Sequence, residues 1–202
     1  MTKALDGIRV IDMTHNQAGP ACAQILAWLG ADVIKLETPG KGDVAREQNN
    51  DELFFLSFNA NKRSLTLNLK SDEGKALFRK LLEKSDVFLE NFAPGAVARM
   101  GFDFETLQKI NPRLIYATIK GFGTSGPYSD FKSFEPVAQA MAGAMSVTGQ
   151  SDGPPTYHWP AIGDSGTGMH MVIGILAAIN QRHATGKGQE VEVSMQESVL
   201  NI

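Results

Sequence analysis

Short apolar extended segments alternate with helical ones along nearly the whole of the 202 residues, and that alternation leaves few folds open. Residues 8–12 read as a buried strand, residues 21–29 as a helix after a Gly19-Pro20 turn, and residues 32–37 as a second strand completing a βαβ unit. Residues 64–69 form a third extended segment with Leu65, Leu67 and Leu69. Ser71 then caps a helix through residue 84, with Ala76, Leu77, Leu81 and Leu82 on one face. Residues 87–90, 114–119 and 189–195 read as further strands, the last followed by a helix from residue 196. Parallel strands need long crossovers, and helices supply them, so the expected fold is α/β: a Rossmann-like, doubly wound, mostly parallel sheet.

Bulk properties narrow the function. A 43% hydrophobic and 20% charged composition is that of a folded globular chain, which sets aside disorder and fibrous repeats. A net charge of −3 argues against a nucleic-acid partner, while Lys62 and Arg63 remain open as a local basic patch for a small anion. The single cysteine, Cys22, forms no intramolecular disulfide, sits in an apolar run and reads as a small buried hydrophobe. The N-terminus has no secretory pattern, and the most apolar helix, interrupted by His170 and Gly174, reads as too short to cross a membrane. A cytoplasmic location without membrane association is the expectation.

One string carries chemistry. Gly163-Asp164-Ser165-Gly166-Thr167-Gly168-Met169-His170 opens a long apolar helix that ends in Gln181, Arg182 and His183, before Gly186 and Gly188. Asp164 falls at or near the N-cap, where free N–H groups and the helix dipole would keep it ionised at neutral pH. Two readings stay open: a helix cap, or a nucleophile with backbone N–H groups of the same turn as oxyanion donors. Elsewhere, residues 40–61 mix Gly, Asn and charge with Leu53, Phe54, Phe55, Leu56 and Phe58, as a loop or short helix covering a site would. The glycine-rich stretches 121–127 and 149–155 are loops of the kind an open sheet places near ligands. The turn from Met13 to Pro20 holds one glycine and lacks the three-glycine dinucleotide fingerprint. No P-loop, Ser-His-Asp signature or zinc spacing occurs, and His15, His158, His170 and His183 are scattered.

Taken together, several strings resemble one family. Leu5-Asp6-Gly7-Ile8-Arg9-Val10, Gln17-Ala18-Gly19-Pro20, Gly30-Ala31-Asp32-Val33-Ile34-Lys35, Asn61-Lys62-Arg63-Ser64, Glu90-Asn91-Phe92, Asn111-Pro112-Arg113-Leu114-Ile115, Gly121-Phe122-Gly123 and Gly163-Asp164 follow in order. The chain resembles the N-terminal part of the class III coenzyme A transferases, of the formyl-CoA:oxalate and carnitine types. That resemblance implies that residues 1–202 are the N-terminal part of a large domain, without the small domain and the C-terminal return. It implies an interlocked homodimer at full length, acyl-CoA and a small carboxylate as substrates, coenzyme A as substrate and product, and no metal.

The resemblance places the catalytic nucleophile on Asp164. It places coenzyme A contacts on Gln17, Ala18, Leu67, Asn68, Lys70, Asn91, Phe92, Arg99 and Lys132, with Arg99 and Lys132 meeting phosphates. Thr38 stands where an arginine is usual near the adenine, so that contact shifts to Lys41 or Arg46. Substrate choice falls to Gln48, Phe54, Tyr157 and His158. The alternatives are an α-methylacyl-CoA racemase, disfavoured because Phe134 occupies the position of its proton-moving histidine, and a catalytically silent CoA-binding or dimerisation module.

Overall fold

The computed structural model describes residues 2–46 and 52–202. The chain runs β1 (Arg9–Met13), α1 (Ala18–Trp28), β2 (Asp32–Glu37), a short 3₁₀ turn (Val44–Arg46), α2 (Glu52–Asn59), β3 (Arg63–Thr66) and α3 (Asp72–Leu82). It continues with β4 (Val87–Glu90), α4 (Ala96–Arg99), α5 (Phe104–Ile110), β5 (Ile115–Lys120), α6 (Glu135–Met141), α7 (Thr167–Thr185), β6 (Glu190–Ser194) and α8 (Met195–Asn201). The strands order β3-β2-β1-β4-β5-β6, all parallel. The expected doubly wound α/β sheet is therefore present, and its strand order reverses between β1 and β4.

Alternation along the strands divides the core in two. Val10, Val87, Leu89, Ile115 and Ala117 pack with Cys22 and Leu26 of α1 and with Met171 and Ile175 of α7. Their neighbours Ile11, Phe88 and Tyr116 point to the other face, against Phe78 and Leu82 of α3, Val97 of α4 and Leu107 of α5. Cys22 is buried, as expected of a small hydrophobe, and burial pushes its thiol pKa up.

Several expectations need correction. Gly19 and Pro20 are not a turn before α1 but part of its first turn, where a missing N–H costs nothing because those groups lack intrahelical acceptors. Ser71 does cap α3, accepting from the Gly74 N–H at 3.1 Å. The buried face of that helix, however, is Gly74, Phe78 and Leu82, while Ala76 and Leu77 are exposed. Residues 40–46 and 52–61 hold the 3₁₀ turn and α2, whose Phe55 is buried under the Arg46 guanidinium at 3.7 Å. Finally, a π-turn at Ile162–Gly166 runs straight into α7, giving a helical span Ile162–Thr185 of 24 residues. That is long and apolar enough to cross a membrane, contrary to the expectation from sequence; here it packs Met171, Val172, Ile175, Ala178 and Ile179 into the core.

Candidate functional site

The strand-order reversal between β1 and β4 leaves a crevice beyond their carboxyl ends, and the chain invests heavily in that corner. After β1 the backbone turns through Asn16, in the left-handed region at φ +62°, and enters α1. Asn91, just after β4, ties this turn to its own loop: its Oδ1 accepts from the His15 N–H at 2.8 Å and its Nδ2 donates to the His15 carbonyl at 2.9 Å.

Two cavities flank these loops. One, of about 380 Å³, is lined by Gln17, Ala18, Asn91, Phe92, Lys132, Phe134 and Asp164. The other, of about 490 Å³, is lined by Thr38, Leu67, Asn68, Lys70 and Phe92. His15 and Phe92 line both. The structure thus brings eight of the nine expected coenzyme A contacts, with Asp164, onto two adjoining cavities. Arg99 is the exception: it ends α4, is exposed, lines neither cavity and donates to the Pro94 carbonyl at 3.3 Å. Of the substitutes for an adenine-side arginine, Arg46 is engaged by Glu37, with Nε to Oε2 at 2.7 Å and Nη2 to Oε1 at 2.9 Å. That engagement, with the Asp43 N–H and Ser64 hydroxyl, overcomes burial and holds the Glu37 pKa down at about 2. Lys41 is exposed and lines neither cavity. Gln48 lies outside the described residues, and Phe54 packs on Phe58, away from both cavities.

Asp164 does not stand where sequence reasoning placed it. It is the third residue of the π-turn, inside a helical run already under way, and caps nothing. The N–H groups expected to serve an oxyanion are taken. Gly163 N–H donates to Glu135 Oε1 at 3.0 Å, Asp164 N–H donates to Glu135 Oε2, and Ser165 N–H bonds to the Ala161 carbonyl at 3.0 Å. Burial, and then the charge of Glu135, raise the Asp164 pKa to about 7, so the carboxyl is not firmly ionised at neutrality as its presumed cap position implied. Close approach makes the turn possible: a Cβ on Gly163 would stand 2.9 Å from Glu135 Oε2 and 3.2 Å from the Ala138 Cβ.

Glu135 is the residue that sequence reasoning missed. It is buried in the first turn of α6 and also accepts from the Gln139 amide, whose Nε2 donates to the His158 carbonyl at 2.9 Å. His158 N–H returns a bond to Gln139 Oε1 at 2.9 Å, so the Tyr157-His158 loop is fastened beside the same carboxylate. Burial, then Glu135 and Asp164, raise the Tyr157 pKa. An acid followed by proline marks a helix start, which was a readable signal; its pairing with residues 28 and 29 positions away was not. On the opposite wall, Gln17 Nε2 donates to Ser165 Oγ at 2.9 Å.

Beneath the β1 loop lies an ion cluster that removes Lys62 from consideration as part of a ligand patch. Its ammonium is buried, donating to Asp12 Oδ2 at 2.8 Å, Asn59 Oδ1 at 2.8 Å and the Pro20 carbonyl at 3.0 Å. Arg63 is spent on Asp32. Lys35 Nζ stands 2.8 Å from Asp43 Oδ2 and 3.9 Å from Asp12. Burial alone would raise both aspartates; Lys35 and Lys62 hold Asp12 low, and His15, Lys35 and the Ala45 N–H hold Asp43 well below the carboxylate range. Under the β4 loop, Glu90 accepts from Tyr116 at 3.1 Å and Lys120 at 2.6 Å, and Lys120 also holds the Phe92 carbonyl at 2.8 Å. Among the described residues no group of three His, Cys, Asp or Glu side chains could hold a metal ion.

Comparison with known proteins bears on this site. A family model described as CoA-transferase family III matches residues 5–202. A formyl-CoA:oxalate CoA-transferase of Streptomyces avermitilis is 58% identical over all of the chain and half of its own length. One from Escherichia coli O139:H28 is 53% identical with the same coverage, so the chain spans about half the length of these relatives. Among solved structures, a CAIB/BAIF family protein from Brucella suis superposes with a TM-score of 0.95 at 37% identity, over 100% of this chain and 56% of that one. A hypothetical protein from Mycobacterium tuberculosis gives 0.93 at 34% identity, over 99% and 57%.

Proposed function

The chain belongs to CoA-transferase family III, and on that footing we propose that it carries the nucleophile and most of the coenzyme A site of an enzyme that moves coenzyme A from an acyl-CoA thioester to a small carboxylic acid. One observation carries the reading: Asp164 is the sole carboxylate among the described residues lining the cavity at the strand-order reversal. The ionised Asp164 attacks the thioester carbonyl, forming an aspartyl mixed anhydride and releasing coenzyme A thiolate. The thiolate attacks the aspartyl carbonyl and expels the donor carboxylate, leaving an aspartyl-CoA thioester. An acceptor carboxylate reverses the two steps and leaves with coenzyme A.

A carboxyl with a pKa of about 7 suits this task, because it is substantially ionised at neutrality yet more basic, and so more nucleophilic, than an ordinary aspartate. Glu135 fixes the turn that presents it. Gln17, Ala18, Asn91, Phe92 and Lys132 hold the thioester half of the ligand, and Leu67, Asn68 and Lys70 the nucleotide half; Arg99 contributes a phosphate contact from the rim. The reaction needs no metal. Formyl-CoA and oxalate are the donor and acceptor suggested by the relatives' names.

The 202 residues are, in this reading, the N-terminal part of a large domain that works in the cytoplasm as an interlocked homodimer. Phe134 lines the cavity with a side chain unable to exchange a proton, which supports transfer over racemisation. Mass spectrometry of the full-length protein incubated with acyl-CoA and hydroxylamine tests the assignment. The adduct is expected on Asp164 and absent from Asp164→Ala; an adduct elsewhere refutes it, and coenzyme A binding without any turnover leaves the silent-module alternative.

A further inference from the structure

His15 stands at the junction of the two cavities, and its side chain has no part in the transfer chemistry assigned to Asp164. Its backbone N–H and carbonyl are both held by Asn91, and its ring meets Phe92 edge to face with centroids 4.9 Å apart. The ring therefore has little freedom. Nδ1 is fully buried without a hydrogen-bond partner and stands 3.5 Å from Asp43 Oδ1, although 23% of the side chain remains accessible. The accessible part is thus the edge away from Nδ1, which carries Nε2.

Charge decides what that edge offers. Asp43 faces the ring at Nδ1 and is itself held by Lys35, whose Nζ stands 2.8 Å from Asp43 Oδ2. Glu37 and Arg46 nearby neutralise each other. The atom facing Nδ1 is a carboxylate oxygen, an acceptor, so the tautomer that this geometry favours carries its ring hydrogen on Nδ1. Nε2 is then a bare acceptor.

We propose that His15 is a further substrate-binding residue: its Nε2 accepts a hydrogen bond from an amide N–H of the pantetheine arm where that arm crosses between the two cavities. The inference rests on the coenzyme A reading of the site. A diphosphate has only acceptor oxygens and would meet a lone pair there, whereas the pantetheine arm carries two amide donors and must link the nucleotide end to the thioester beside Asp164.

Calorimetric titration of the full-length protein with coenzyme A and with adenosine 3′,5′-bisphosphate, which lacks the arm, separates the possibilities. His15→Phe keeps the aromatic contact and removes the acceptor. Coenzyme A affinity is expected to fall about tenfold, with adenosine 3′,5′-bisphosphate affinity unchanged. His15→Gln, which restores an acceptor, should recover much of the loss. Equal weakening of both ligands, no weakening of either, or no difference between the two variants overturns the assignment. Failure of the unaltered protein to bind coenzyme A would instead sink the reading of the whole site.

Discussion

Glu135 receives the backbone N–H groups of both Gly163 and Asp164, so a buried carboxylate stands directly behind the candidate nucleophile. The arrangement has opposite effects on structure and charge. It fixes the π-turn that carries Asp164 into the cavity, and it opposes ionisation of the same side chain.

From this follows a pH dependence. With a pKa near 7 folded and an ordinary value unfolded, Asp164 binds a proton between those limits only in the folded state, so its contribution to stability declines as pH rises through that window. Activity, which needs the ionised form, should rise over the same range. Asp164→Asn should abolish transfer yet stabilise the protein by about 1–3 kcal/mol above pH 7 and by little near pH 4, measured by urea unfolding. Glu135→Gln keeps an acceptor for part of the turn and removes the charge, so the acid limb of the rate profile should move down by about one pH unit. A limb that stays near 7 would mean that burial alone sets it.

Lys62 should behave as structure, not as a ligand contact. Lys62→Met leaves Asp12 buried with Lys35 at 3.9 Å as its nearest cation, and unpairing a buried charge costs about 3–5 kcal/mol. Thermal unfolding should show a large drop. Coenzyme A affinity below the new melting point should change little, and a selective loss of affinity at unchanged stability would return Lys62 to the binding site.

Asp164 and Lys62 show where sequence reading succeeds and stops. The central strands are legible as short apolar runs bounded by turn residues and helical segments, and Asp164 stands out because a long apolar run follows it. Its electrostatics were misjudged because the N-cap rule considers local N–H groups, and Glu135, a residue on another helix, had claimed them. The buried role of Lys62 is hidden from sequence for the same reason: a lysine is ordinarily solvated, and only the packing of Asp12, Asn59 and Pro20 around it makes a buried role stable. The pattern Ala76, Leu77, Leu81 and Leu82 misses the buried face of α3 because it omits Phe78, the residue that reaches Phe88 and Phe102.

Lys132 and Arg99, treated alike in the sequence, should separate in measurement. Both are exposed, but Lys132 lines the Asp164 cavity whereas Arg99 lines neither cavity. Lys132→Ala should weaken coenzyme A by roughly tenfold or more, as loss of a charge-assisted contact does. Arg99→Ala should cost less than about threefold at physiological salt, and its effect should vanish in high salt because an exposed charge is screened. Equal losses for the two would place Arg99 inside the bound-state site.

Gly168 tests whether the packing of two helices governs the site. A Cβ there would stand 2.7 Å from the Ala18 carbonyl, 3.1 Å from the Cys22 nitrogen and 3.2 Å from the Ala21 Cβ. The first two of those are backbone atoms of α1, which cannot rotate out of the way as a side chain can. Alanine favours a helix interior by about 1 kcal/mol over glycine, while forcing an extra carbon into a tight contact costs about 1–3 kcal/mol, so Gly168→Ala should be mildly destabilising in net. The larger effect should be positional. The strained contact falls on the first turn of α1, where Ala18 lines the cavity and Gln17 holds Ser165 beside the nucleophile. Backing α1 away by a few tenths of an ångström should therefore lower turnover more than it lowers the melting temperature. A variant with a reduced melting temperature but native kcat and KM would show that the α1–α7 contact supports the fold without setting the geometry of the site.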